Sequence, residues 1–156
     1  MQRAVVIIGV GNILAGDDGV GSRTAQLLEN TARPAGVRVL DLGTLGPGAL
    51  AYLDAHEAVV FMDAVRGGGP PGTLYRIDLD ELPEPTHAVL SVHDLGVHEL
   101  LREARLLQRP LRGVLLGVEP ACITPGEQLL SPAVAAAVPL LRDAALAEAR
   151  RLLLDE

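Results

Sequence analysis

The chain has no lysine and no tryptophan, a single cysteine in 156 residues, and aromatic side chains at only 2%. Each scarcity excludes something. Cys122 cannot close a disulfide within the chain, which points to a reducing compartment. Without lysine there is no GxxxxGK[ST] phosphate loop. Few rings, no basic stripe and a net charge of −7 leave little for nucleic acid to stack on or pair with. No apolar run approaches the ~18 residues that a membrane span requires. The opening MQRAVVIIGVGN lacks a small-residue cleavage site, so it reads as a first buried strand rather than a signal peptide. The expectation is one soluble, cytoplasmic domain over residues 1–156, monomeric by default, without nucleic-acid or membrane partners.

What is abundant is aliphatic: hydrophobic residues make up 49%. AVVII (4–8), VRVLDL (37–42), EAVVFMDA (57–64) and RGVLLGVEP (112–120) are short apolar runs of the kind strands make when both faces are covered. Between them lie helical stretches, about Val20 to Asn30 with Ala25, Leu27 and Leu28 apolar, and 91–107 with Leu95, Leu100, Leu101 and Leu107 apolar. TLYRIDL (73–79) alternates as a hairpin or edge strand does, and ALAYLDAH reads as a short helix. A long helix closes the chain over 131–154, with Pro132 at its first position and Pro139 expected to kink it. Strand alternating with helix predicts an α/β sandwich around a mostly parallel sheet.

In such sheets ligands bind beyond the carboxyl ends of the strands. Asp17 and Asp18 follow the first strand, Asp41 ends the second, Asp63 ends the third, and the segment after the fourth leads to His93. Ser91 and Asp94 have capping-box spacing, which puts His93 in a first helical turn. The positive helix end there disfavours imidazolium, and neutral imidazole is the form that binds metal. Two carboxylates and an imidazole make a mixed oxygen and nitrogen site for a divalent ion such as zinc or nickel. Plain structural roles stand beside this reading. Asp18 also suits a helix cap, Asp63 a carboxylate bonded to backbone, His93 a surface position, and Asp41 serves a structural or a supporting role equally well.

Other templates fail. HELLR (98–102) has Arg102 where HExxH needs its second histidine, and there is no GxSxG elbow. Gly9 and Gly11 begin a dinucleotide fingerprint, but Leu14 replaces its third glycine. The aspartates would also face the pyrophosphate, at a cost of about 1–4 kcal/mol each for effective dielectrics of 20–80.

In order, the chain carries GVGNILAGDDGVG, LDLGTLG, FMDAV, SVHDLG and GVEP. This set resembles the endopeptidases that mature nickel–iron hydrogenases, and the match runs from the first strand to about Pro132. The resemblance implies a three-layer fold with a roughly five-stranded twisted sheet. It implies an aspartic-type or nickel-dependent processing endopeptidase that removes a C-terminal extension from a hydrogenase large-subunit precursor after nickel insertion. It also implies Asp18, Asp63 and His93 as the catalytic and metal-contacting residues, with nickel supplied by the substrate. The alternatives are a nucleotide- or cofactor-binding module built on the Gly9/Gly11 loop, and a hydrogenase-specific metal chaperone that does not cut.

Overall fold

The structure is a computed structural model. It describes residues 3–55, 57–82 and 94–155, with backbone alone at 94 and 95. His93, Ser91, His56 and His87 lie outside the described residues.

The strands are β1 (Ala4–Val10), β2 (Val37–Gly43), β3 (Glu57–Ala64), β4 (Leu74–Asp78) and β5 (Arg112–Val118). The helices are α1 (Val20–Glu29), α2 (Asp94–Leu106) and α3 (Pro132–Leu154), with short 3-10 turns at Gly16–Gly19, Ala49–Tyr52 and Leu79–Glu81. The sheet order is β2-β1-β3-β5-β4. Four strands run parallel, and β4 joins the edge antiparallel to β5. The alternation of apolar runs thus yields the expected α/β architecture, and 73–79 is the expected edge strand.

Successive residues of a strand point to opposite faces, and here each face has its own helix layer. Val5 and Ile7 of β1, with Val60 and Met62 of β3, pack against α1 and α3 through Leu28, Leu141 and Leu152. Val6 and Ile8, with Val59 and Phe61, pack against α2 through Val97, Leu100 and Leu101. Burying each of these large aliphatic or aromatic side chains is worth about 1.5–3 kcal/mol. With almost no aromatics, the core is held by branched aliphatic packing around one ring, Phe61.

Some local expectations change. Leu107 is not a core residue: it is 59% exposed. It lies past the end of α2, next to Gln108, which takes a left-handed conformation (φ 56°). The Ala49–Tyr52 segment forms a 3-10 turn rather than a full helix. Pro139 sits inside α3, which runs continuously over its 23 residues. Its ring is on the exposed side, away from the Val134, Ala137, Leu141, Ala145, Ala149 and Leu152 face. There water can serve the carbonyl that proline leaves unbonded. No helix among the described residues is long and apolar enough to cross a membrane.

One contact sets where α1 begins. A Cβ on Gly21 would lie 2.1 Å from the Met62 carbonyl oxygen and 2.4 Å from that of Val10. The first turn of α1 therefore rests on the carboxyl ends of β1 and β3, backbone against backbone. Gly21→Ala is expected to cost about 3 kcal/mol through overpacking against atoms that cannot move aside. Gly46 has open space around it, and Gly46→Ala should stay within about 0.5 kcal/mol. Urea denaturation of the two variants checks the contrast.

Candidate functional site

The segment between β1 and α1 is built from backbone first. Gly11 adopts φ 135°, and a Cβ there would meet the Asp18 carbonyl oxygen at 1.9 Å. Only glycine lets the chain close on itself this tightly. Asn12 then makes a local turn, its Oδ1 accepting from the Leu14 amide at 2.9 Å. The Asn12 amide donates to Asp18 Oδ2 at 3.0 Å. The turn thus closes on itself beside Gly11, and the Asn12 amide is already engaged by the Asp18 carboxylate.

Asp18 is 1% exposed and Asp63 is fully buried. They arise at the same edge of the sheet. Gly9 is level with Met62 in the β1–β3 ladder, so Val10 stands beside Asp63, and the Asp18 backbone lies against the next residue, Gly11. Asp63 Oδ1 accepts from the Ala64 amide at 2.8 Å. By strand alternation Asp63 shares the side of Val59 and Phe61, the face that α2 covers. The described start of α2 reaches this edge too. A Cβ on Gly96 would come 3.0 Å from Leu45 Cβ, two residues beyond the end of β2. His93 immediately precedes α2 in sequence and lies outside the described residues. Among the described residues, no three His, Cys, Asp or Glu side chains gather as a metal group would. Asp18 and Asp63 are thus the two described members of the expected set.

Asp17 is used differently from Asp18. Its carboxylate accepts four hydrogen bonds from the 121–131 segment. They come from the amides of Ala121 (2.9 Å), Cys122 (3.0 Å) and Ser131 (2.7 Å) and from the Ser131 hydroxyl (2.8 Å). Burial acts to raise its pKa, but these bonds outweigh burial and hold the group below its ordinary 3.8. All its partners lie more than 100 residues away along the chain, so no local pattern distinguishes Asp17 from Asp18.

Asp41 is exposed. Its carboxylate accepts from Gln26 Nε2 and from the Gly43 amide, both at 3.2 Å. Gln26 belongs to α1, so Asp41 is engaged on the face opposite Asp63.

Glu119 organises the rest of this edge and was missed in the sequence, although it stands in the GVEP motif. It directly follows β5 and is 5% exposed. Its Oε1 accepts from the Gly67 amide (2.8 Å), the Gly69 amide (3.1 Å) and the Tyr75 hydroxyl (2.8 Å). The RGGGPPG loop is thus wrapped around a carboxylate, with successive amides forming an anion nest. An isolated GGG run after a strand, with an acid far downstream, was the available signal. It does not by itself name the acid.

Fold and site define a small α/β/α protein whose sheet carries buried carboxylates at and just beyond the carboxyl ends of adjacent strands. The family model described as hydrogenase maturation protease matches residues 22–148, and the chain belongs to that family, whose activity is that of a peptidase. The match takes in Asp63 and His93 and begins four residues past Asp18. The hydrogenase expression/formation protein HupD of Rhodobacter capsulatus is 38% identical over 150 residues, covering 94% of this chain and 70% of its own length. Among solved structures, the hydrogenase maturating endopeptidase HybD from E. coli superposes with a TM-score of 0.84 at 30% identity, covering 96% of this chain and 93% of that one. The [NiFe] hydrogenase maturation protease HybD from Thermococcus kodakarensis gives 0.79 at 27% identity, covering 94% and 99%.

Burial would also raise the Glu119 pKa, but the Tyr75 hydroxyl and the Gly67, Gly68 and Gly69 amides outweigh it and leave the group below its ordinary 4.5. A depressed carboxylate pKa contributes stability that is present above the unfolded value and lost as pH falls through the folded one. Chemical denaturation should therefore show stability falling as pH drops below about 4.5. In Glu119→Gln this acid limb should flatten, and stability at pH 7 should be lower than in the unsubstituted chain.

Proposed function

We propose that this chain is the endopeptidase that removes the C-terminal extension from the precursor of a nickel–iron hydrogenase large subunit once nickel is in place. The observation that carries the reading is the pair of buried carboxylates, Asp18 and Asp63, at neighbouring strand ends of one sheet edge in a member of the maturation protease family. Buried acids there suit a cation and oppose a phosphate.

In this reading nickel is part of the substrate, arriving bound to the precursor's cysteines. Asp18 and Asp63 supply oxygen donors and His93 a neutral nitrogen, so the three complete a coordination shell that only a loaded precursor can share. A contact worth about 3–4 kcal/mol discriminates loaded from empty precursor by about 10²–10³-fold. The peptide bond to be cut is then held beside a Lewis acid and two carboxylates. Polarisation by the metal and general-base help from a carboxylate are both compatible with that arrangement. Asp41, exposed and bonded to Gln26, is poorly disposed to be the base. The enzyme works as a cytoplasmic monomer.

Asp18→Ala, Asp63→Ala and His93→Ala should each lower cleavage of nickel-loaded precursor by about 10²-fold or more while the protein stays folded. Mass spectrometry of the precursor reads the result. If a variant cleaves normally, that residue leaves the site. If the precursor keeps its full mass after long exposure to the unsubstituted chain, the protein is a chaperone of the hydrogenase subunit and not its protease.

A further inference from the structure

The 3-10 turn that carries Asp18 is Gly16-Asp17-Asp18-Gly19. Half of it is glycine, and Gly16 takes φ 60°. Such a turn has little stiffness of its own. Yet Asp18 projects from it with its carboxylate fixed on the Asn12 amide. The stiffness comes from the segment 121–131. The Gly16 amide donates to the Glu127 carbonyl (2.8 Å), the Asp17 amide to that of Cys122 (3.1 Å), and the Gly126 amide to that of Leu14 (2.7 Å). At the centre is the Asp17 carboxylate with its four hydrogen bonds.

Two further features mark this contact. Ser131 is the N-cap residue of α3 but makes no capping bond to its own helix. Its hydroxyl goes to Asp17 instead, although a Ser cap is commonly worth ~1 kcal/mol. The carboxylate thereby sits at the positive end of a 23-residue helix. Successive side chains of a 3-10 turn diverge by roughly 120°. Anchoring Asp17 in one direction therefore sets the direction of Asp18.

We infer that Asp17 is a positioning residue: it locks the Gly16–Gly19 turn onto the 121–131 segment and the α3 N-terminus, so that Asp18 is held in one orientation for the substrate. The kinetic side of this rests on the proposed peptidase activity; the structural side does not.

The test uses the full chain with Asp17→Asn and Ser131→Ala. Asn offers one acceptor where two are used, and Ala removes the hydroxyl donor alone. Amide hydrogen exchange at Asn12 reads the Asp18 carboxylate directly. It should accelerate about tenfold or more in Asp17→Asn, while the Ile7 and Ile8 amides change less than about twofold. With nickel-loaded precursor, kcat should fall about tenfold or more at nearly constant KM, as expected of a misplaced group. Ser131→Ala should show the same pattern at smaller size, and it carries the test if Asp17→Asn does not fold. Unchanged Asn12 protection, protection lost equally along β1, or normal kcat in a folded Asp17→Asn protein would each overturn the inference. If the unsubstituted chain cuts nothing while Asp17→Asn still frees the Asn12 amide, the activity is wrong and the clamp stands.

Discussion

The first turn of α1 lies directly on the carboxyl ends of β1 and β3, because Gly21 has no side chain to hold it off the Met62 and Val10 carbonyls. That closeness leaves almost no room for the linker between β1 and α1. It must fold back on itself, with Asp18 pressed against Gly11 and Asn12. A loop that could cradle an anion becomes a compact turn whose acid is buried at the same sheet edge as a second acid, Asp63, of the neighbouring strand. The character of the edge follows from a backbone contact before any side-chain chemistry enters.

Two adjacent aspartates then receive opposite assignments. Asp17 is spent inward on amides and a hydroxyl of the 121–131 segment, its charge met by a helix end. Asp18 stays at the strand ends. Glu119 does for the glycine loop after β3 what Asp17 does for the turn before α1. Each gathers backbone donors from remote segments around one carboxylate. Both buried acids remain on the ionised side because many donors together outweigh the cost of burial. The carboxyl edge is thus framed by two structural acids and furnished with two others.

Much of this was legible along the chain. The strands at 4–8, 37–42 and 57–64 were marked by apolar runs, and the start of α3 by Ser131-Pro132, because these signals are local. Asp63 stood out because an acid at the end of a buried strand is costly unless it is used, and Asp18 because it stands in the glycine-rich motif after the first strand. Leu107 misled because an apolar side chain in a helical pattern does not reveal where the helix ends. Pro139 is accommodated within α3 with its ring on the exposed side.

The sequence by itself determined the alternating architecture, the parallel core strands and the family, because periodicity and motif order are properties of neighbours in the chain. Only the tertiary structure decided which of the paired aspartates turns inward, that Asp41 is held on the α1 side, and that Glu119 ties down the glycine loop. The roles of Asp17 and Glu119 depend on donors 44 to 114 residues away, and that of Asp41 on Gln26, 15 residues away. A hydrogen bond between such distant partners leaves no trace in the spacing of either one.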